Sequence, residues 1–175
     1  MITFKQYLFE NDKFTGRYVF HETHIDSAVN IIKQGRIKGI WIDNPRAKKD
    51  MLDDPEMEAD YGNYVYTSTF NQDHTDFSYY GVTENHVLFV IDVKKLLQAG
   101  EYLTQYENGL YRIPNTVPLT AVVFVLIGGY ESEEDERLHV ISGACLKYNI
   151  DFEWVEDEPH NKRLDIINRF KNKRY

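Results

Sequence analysis

The chain has little sulfur and is short of positive charge. Among its 175 residues there is a single cysteine, Cys145. No disulfide can therefore form within the chain, and no Cys/His spacing marks a zinc site. Lys and Arg number 20 against 28 Asp and Glu, giving a net charge of -8 and a pI near 5.2. That balance excludes broad, sequence-independent nucleic-acid binding, which needs a basic surface to displace counterions; only a local basic site is left open. No apolar run approaches the roughly 18 residues of a membrane span. The longest, Ala121 to Ile127, reads as a buried strand. The opening stretch MITFKQYLFEND has no long apolar core and so is not a secretory signal. These features together predict an intracellular protein with no membrane partner and no metal. Repeats and low-complexity linkers are absent as well.

Aromatic side chains, in contrast, are plentiful. The chain has 13 Tyr and 10 Phe, a composition suited to β-rich packing and to stacking surfaces. Its length fits one domain able to bury a substantial core.

The stretch RYVFHETHIDSAVNIIKQGRIKG sets the pattern. Val19 and Phe20 read as a strand that runs into polar His21 and Glu22. Asp26 or Ser27 can N-cap the helix that follows, Ala28, Ile31 and Ile32 share one apolar face, and Gly35 ends it. Residues 43–60 are charged and proline-containing, a solvated loop with a helical turn around Met51 to Met57. YVYTSTF forms a strand, NQDHTDFSYYG a loop entering a short helix, and HVLFVIDV a buried strand with a helical turn behind it. GLYRIP is a short strand broken by Pro114 and Pro118, and TAVVFVLIGG is the last strand of the core. Further on, Leu138, Ile141, Cys145 and Tyr148 mark an amphipathic helix. Ile150, Phe152 and Trp154 alternate as a half-buried strand. A basic helix closes the sequence with Leu164, Ile167 and Phe170 inward and Lys162, Arg163, Arg169, Lys171, Lys173 and Arg174 on a solvated face that can also touch phosphates. The predicted class is α+β, a mainly β core carrying a C-terminal βαβ-type extension.

FHETH, YVYTSTF and DHTDFSYYG concentrate the polar and aromatic chemistry. In order and spacing they resemble the ADP-ribosyltransferase fold of the diphtheria-toxin and poly(ADP-ribose) polymerase branch. The matching elements are His21-Glu22-Thr23, the helix over 26–34 with Gly35, the strand over 64–69 with Tyr66, then Ser78, Tyr79 and Tyr80, then the strand over 87–93. The likeness spans about residues 17–127. It implies a split β core, NAD as substrate without a metal, and mono-ADP-ribosyl transfer to a macromolecule. On that likeness His21 would meet the ribose or carboxamide of NAD and Thr23 would support the strand end. Tyr66 would line the nicotinamide pocket, Ser78 would sit beside it, and Tyr79 or Tyr80 would stack on the ring. A flat amide-bearing ring suits an aromatic face, and ribose hydroxyls need hydrogen-bond partners. Because nicotinamide leaves through an oxocarbenium-like state, such a site chiefly orients NAD and stabilises positive charge.

Two positions depart from the family pattern. Its catalytic glutamate would fall near Leu110, with Glu107 three residues earlier as the substitute and Glu101 more distant. Glu22 stands where the family has glycine, either crowding the approach of NAD or making a polar contact of its own. The runner-up is therefore a catalytically inactive member of the fold that binds a partner. Tyr64, Tyr66, Tyr79 and Tyr80 also read as ordinary packing residues in so tyrosine-rich a chain, and Glu107 as a solvated loop acid. His21-x-Thr23 fits a two-histidine phosphoesterase too, but that chemistry needs a second copy of the motif. His74, His86, His139 and His160 are followed at the same spacing by Asp76, Leu88, Ile141 and Lys162, so this reading fails.

The first ten residues resemble capsid-targeting peptides of T-even-type phages, with Leu8-Phe9-Glu10 as the cleavage site; a plain N-terminal helix on Phe4, Tyr7 and Leu8 is the other reading. The resemblance implies a phage-encoded protein acting in the host bacterial cytoplasm or packaged in the phage head, with a host protein or nucleic acid as acceptor. The expected organisation is a targeting segment over 1–12, a transferase-like core over 13–130, and an α-β-α extension of the same domain over 131–175.

Overall fold

Alternation along three neighbouring strands decides where the cores form. In the computed structural model, which describes residues 16–39, 61–69, 86–107, 109–114, 116–128, 136–155 and 159–171, β1 (Tyr18–His24) pairs antiparallel with β4 (His86–Asp92). β4 in turn pairs with β8 (Val122–Gly128). Side chains of successive strand residues point to opposite faces. Val19, Val87, Phe89, Ile91, Val125 and Ile127 accordingly build one core, while Tyr18, Phe20, Leu88, Val90, Phe124 and Leu126 build a second on the other face. Both faces are apolar because both are covered, as the near-continuous hydrophobic runs required. A bulge opposite Val90 and Ile91 inserts an extra residue in β8, so Val122 and Val125 can face the same way.

The full sheet adds β3 (Tyr64–Ser68), β5 (Thr104–Glu107), β6 (Leu110–Pro114) and β9 (Asp151–Val155). Its order is β5-β6-β3-β1-β4-β8-β9, antiparallel except for the last, parallel pair. A second, two-stranded sheet pairs β2 (Arg36–Lys38) with β7 (Thr116–Pro118). The segment read as one strand broken by prolines is thus two strands in two sheets. The strand read as the last of the core is followed in the same sheet by β9, since a βαβ crossover returns the chain parallel to β8.

Among the described residues four α-helices cover the faces. α1 (Ile25–Gln34) and α3 (Glu136–Tyr148) pack together on the first core through Ile25, Ala28, Ile31 and Ile32, and Leu138, Ile141 and Cys145. α2 (Val93–Gln98) adds Val93 and Leu96. α4 (Pro159–Lys171) covers the second core with Ile166, Ile167 and Phe170. Each fully buried side chain of this size contributes about 2 kcal/mol.

Helix boundaries follow local chemistry. Gly35 ends α1 at φ 74°, a left-handed conformation in which glycine is unstrained. α1 begins earlier than Asp26 or Ser27 would have it: the N-cap is His24, whose Nδ1 accepts from the Asp26 N–H. Asp92 caps α2 by accepting from the N–H groups of Lys94 and Lys95. In α4 the inward set also differs from a plain apolar stripe. Leu164 is half-buried, whereas Arg163 is 4% exposed. Phe152, expected to be half-buried in β9, is instead among the exposed large hydrophobic side chains.

Candidate active site

β1 separates two surroundings at its C-terminal end. Against β4 it is paired at every residue from Tyr18 to His24. Against β3 it is paired only at Phe20 and Ser68. Beyond that pair the strands part, and the carbonyl of Tyr66 is met by the His21 imidazole, with Nδ1 2.8 Å from the Tyr66 oxygen. The sheet is therefore split between β1 and β3, with a histidine side chain bridging where the ladder stops.

The bridge fixes the protonation pattern of the ring. A carbonyl oxygen can only accept, so Nδ1 carries the hydrogen and donates it. The His21 ring lies against Phe89, with centroids 6.4 Å apart. Although part of its surface is open, the imidazole is enclosed by protein, and this burial pulls its pKa below the usual 6.5; the bond to Tyr66 opposes the shift without cancelling it. The ring is consequently neutral at physiological pH, and Nε2 is a bare acceptor. Such a group can receive a hydrogen bond from a ribose hydroxyl or an amide N–H, and does not compete with a cationic centre.

Thr23 follows on the same face as His21, opposite Val87 in β4. Tyr66 alternates with the buried Val65 and Thr67, so the pleat turns its ring to the opposite face. His21 and Tyr66 flank the split together, but they touch through main chain rather than ring to ring. β3 is held from its other side by β6, where Thr67 Oγ1 donates to the Tyr111 carbonyl and Arg112 lies over the Tyr64 ring at 4.5 Å. Gly39 brings the end of β2 against the start of β3. A Cβ there would lie 2.8 Å from the Asn63 carbonyl carbon and 2.9 Å from the Tyr64 nitrogen, a distance that only glycine allows.

Leu110 opens β6, opposite Ser68. Glu107 is the last residue of β5 and pairs with Leu110 across the turn that contains Gly109. The substitute acid thus belongs to the strand before the turn, and its side chain lies outside the described residues. Ser78, Tyr79 and Tyr80 lie outside them too, as do the charged loop over 43–60 and the first ten residues.

Glu22 does not project beside His21. Alternation turns it to the α4 face, where Arg163 holds it through Nε at 3.1 and 3.2 Å and Nη2 at 2.9 Å. Both side chains are almost fully buried, at 8% and 5% exposure. Sequence reasoning placed Arg163 on a solvated basic face. The signal it missed was the acid after His21, which needs a buried cation once α4 covers it.

The large mixed sheet with its covering helices matches the ADP-ribosyltransferase fold of solved structures of DarT from Thermus sp. 2.9. The complex with NAD+ matches at a TM-score of 0.50 and 10% identity, over 82% of this chain and 97% of that one. The complex with ADP-ribosylated ssDNA matches at 0.52 and 10% identity, over 81% and 95%. No family model and no curated protein matches the sequence. The likeness is one of fold, and it confirms the α+β transferase-like class that the motif order implied. Among the described residues no helix is long and apolar enough to cross a membrane.

Proposed function

We propose that the chain is an NAD-dependent mono-ADP-ribosyltransferase whose substrate pocket lies at the parting of β1 and β3. The observation that carries this reading is the His21 ring, held neutral with its Nε2 free to accept. When bound, NAD supplies an activated ribosyl group with nicotinamide as leaving group. Toward it, His21 accepts a hydrogen bond from a ribose hydroxyl or the carboxamide and fixes the sugar. Thr23 supports the strand end, Tyr66 lines the nicotinamide side from the other lip of the split, and, on the resemblance of the motifs, Tyr79 or Tyr80 stacks on the ring with Ser78 as a further contact. No metal takes part in this reading. Glu107 is the carboxylate assigned to the developing positive charge.

The acceptor is a host macromolecule, protein or nucleic acid, and the source a tailed phage. Single-stranded DNA is the first acceptor to test, because DarT of Thermus sp. 2.9 has been solved with ADP-ribosylated ssDNA. Recognition would be local, given the net charge of -8.

The test is calorimetric titration with NAD+ of the wild type, His21→Gln and Tyr66→Ala, followed by transfer from labelled NAD+ to single-stranded DNA and to host lysate. Loss of one hydrogen bond or one ring contact weakens binding by about tenfold. A wild type that binds no NAD+ ends the enzyme reading.

A second reading has its own observation: Leu110, not an acid, opens β6 opposite Ser68. An inactive member of the fold, serving as a phage structural or anti-defence binding protein, would bind NAD+ or a partner without transfer. Equal label incorporation by wild type and Glu107→Gln would remove Glu107 from the catalytic set.

A further inference from the structure

The glutamate after His21 replaces a glycine of the family pattern, and its structural context gives it a task. Successive residues of β1 point to opposite faces, so His21 and Glu22 hang from one short segment on either side of the sheet. On its far side β1 is secured to β4 along its whole length. On its near side the ladder with β3 has already ended, leaving Glu22 beside a seam where main-chain pairing no longer defines the strand. At that point Arg163 reaches across from α4 and grips both carboxylate oxygens with a planar fork. Surface salt bridges are weak, but a nearly buried bidentate pair behaves differently. Removing Arg163 takes a bidentate, charge-assisted contact away from a carboxylate that is 8% exposed, and the strand segment around it, which carries His21, readjusts.

We propose that Arg163 is a positioning residue for the active site: by fixing Glu22 from the opposite face of β1, it holds the strand end at which His21 meets Tyr66 and presents Nε2. This inference rests on the reading of His21 as an NAD+ contact. α4 is therefore part of the site's support from the other face of the sheet, and Lys cannot replace Arg163 because an ammonium has no fork. The pattern also explains how glutamate is tolerated after the histidine: its carboxylate is turned to the α4 face and bound there by Arg163.

The test reads His21 directly, by 15N NMR of the imidazole, alongside NAD+ calorimetry. Arg163→Met is compared with Phe170→Leu, a substitution in the same helix that loosens its packing on Tyr18 and Phe124 while sparing Glu22. Arg163→Lys serves as a milder variant where Arg163→Met does not fold. The expected result is a changed His21 resonance pattern and about tenfold weaker NAD+ binding in the Arg163 variants, with the Phe170 variant close to wild type. Unchanged His21 resonances in a folded Arg163 variant overturn the proposal. So does an equal change in the Phe170 variant, which reduces the effect to general packing. If the wild type binds no NAD+, the proposed function fails on its own, and the His21 resonances still decide whether Arg163 positions the ring.

Discussion

Asp92 offers the sharpest energetic test of how β1 is anchored at the end opposite the site. It stands across from Tyr18 in the β1–β4 ladder, is 2% exposed, and serves two partners at once. One carboxylate oxygen accepts from the main-chain N–H groups of Lys94 at 2.9 Å and Lys95 at 3.3 Å; the other accepts from Arg17 at 3.2 and 3.3 Å. Losing a helix N-cap costs about 1 kcal/mol. The Arg17 side chain is 39% exposed, so solvent screens the pair and its loss adds roughly 0.5–1 kcal/mol. Asp92→Ala should therefore cost about 2 kcal/mol, equal to a drop of roughly 1 M in the urea midpoint for a slope near 2 kcal/mol per molar. Asp92→Asn keeps the cap, since asparagine caps as well as aspartate, and should lose only the smaller ionic part. Equilibrium urea unfolding followed by circular dichroism separates the two. If Asp92→Asn is as damaging as Asp92→Ala, the charge and not the cap dominates, and the reasoning is refuted.

Two further outcomes follow from the buried titratable groups. His21 has a lowered pKa in the fold, so the native state takes up its proton later than the unfolded chain does. Its contribution to stability is complete above the unfolded value near 6.5 and is lost as pH falls from there toward the lower folded value. Thermal melting between pH 8 and pH 5 should show this decline, and His21→Gln should flatten it; a variant as pH-sensitive as the wild type would place the effect elsewhere. Burial pushes the Cys145 thiol up to about 11, so a maleimide at pH 8 should label the native protein far more slowly than the urea-unfolded chain, as mass spectrometry would show. Equal rates would mean that the inward face of α3 is not packed on the first core.

Local chemistry made much of this legible. The apolar run from Ala121 to Ile127 could only be a doubly covered strand, and the spacing of Leu138, Ile141 and Cys145 could only be one face of a helix. Gly35 marked the end of α1 because a left-handed residue is needed there. His21 was visible as a polar residue at the end of a strand. Its bond to a main-chain carbonyl in β3 was not, because no sequence pattern says which strand will part from which. Where tertiary partners decide, periodicity fell short. Arg163 takes an inward position in α4 because Glu22 lies beneath it, and half-buried Leu164 is correspondingly less enclosed. Pro114 and Pro118 announced a break but not that the chain changes sheets at it. His24 is an unusual cap, and the more frequent capping residues after it drew the helix start too late.

The Glu22–Arg163 pair joins positions separated by 141 residues. During synthesis, β1 leaves the ribosome early, yet one face of it stays open until α4 emerges. Over that interval Phe20, Leu88, Val90, Phe124 and Leu126 lack the cover of α4 and leave an apolar surface with an acid at its margin, the kind of surface that is prone to aggregate. Docking of the helix on β1 is then a late, long-range event, whose entropic cost grows only slowly with the length of the loop it closes. A ribosome-stalled chain lacking α4 will carry the histidine strand without the clamp that finishes it.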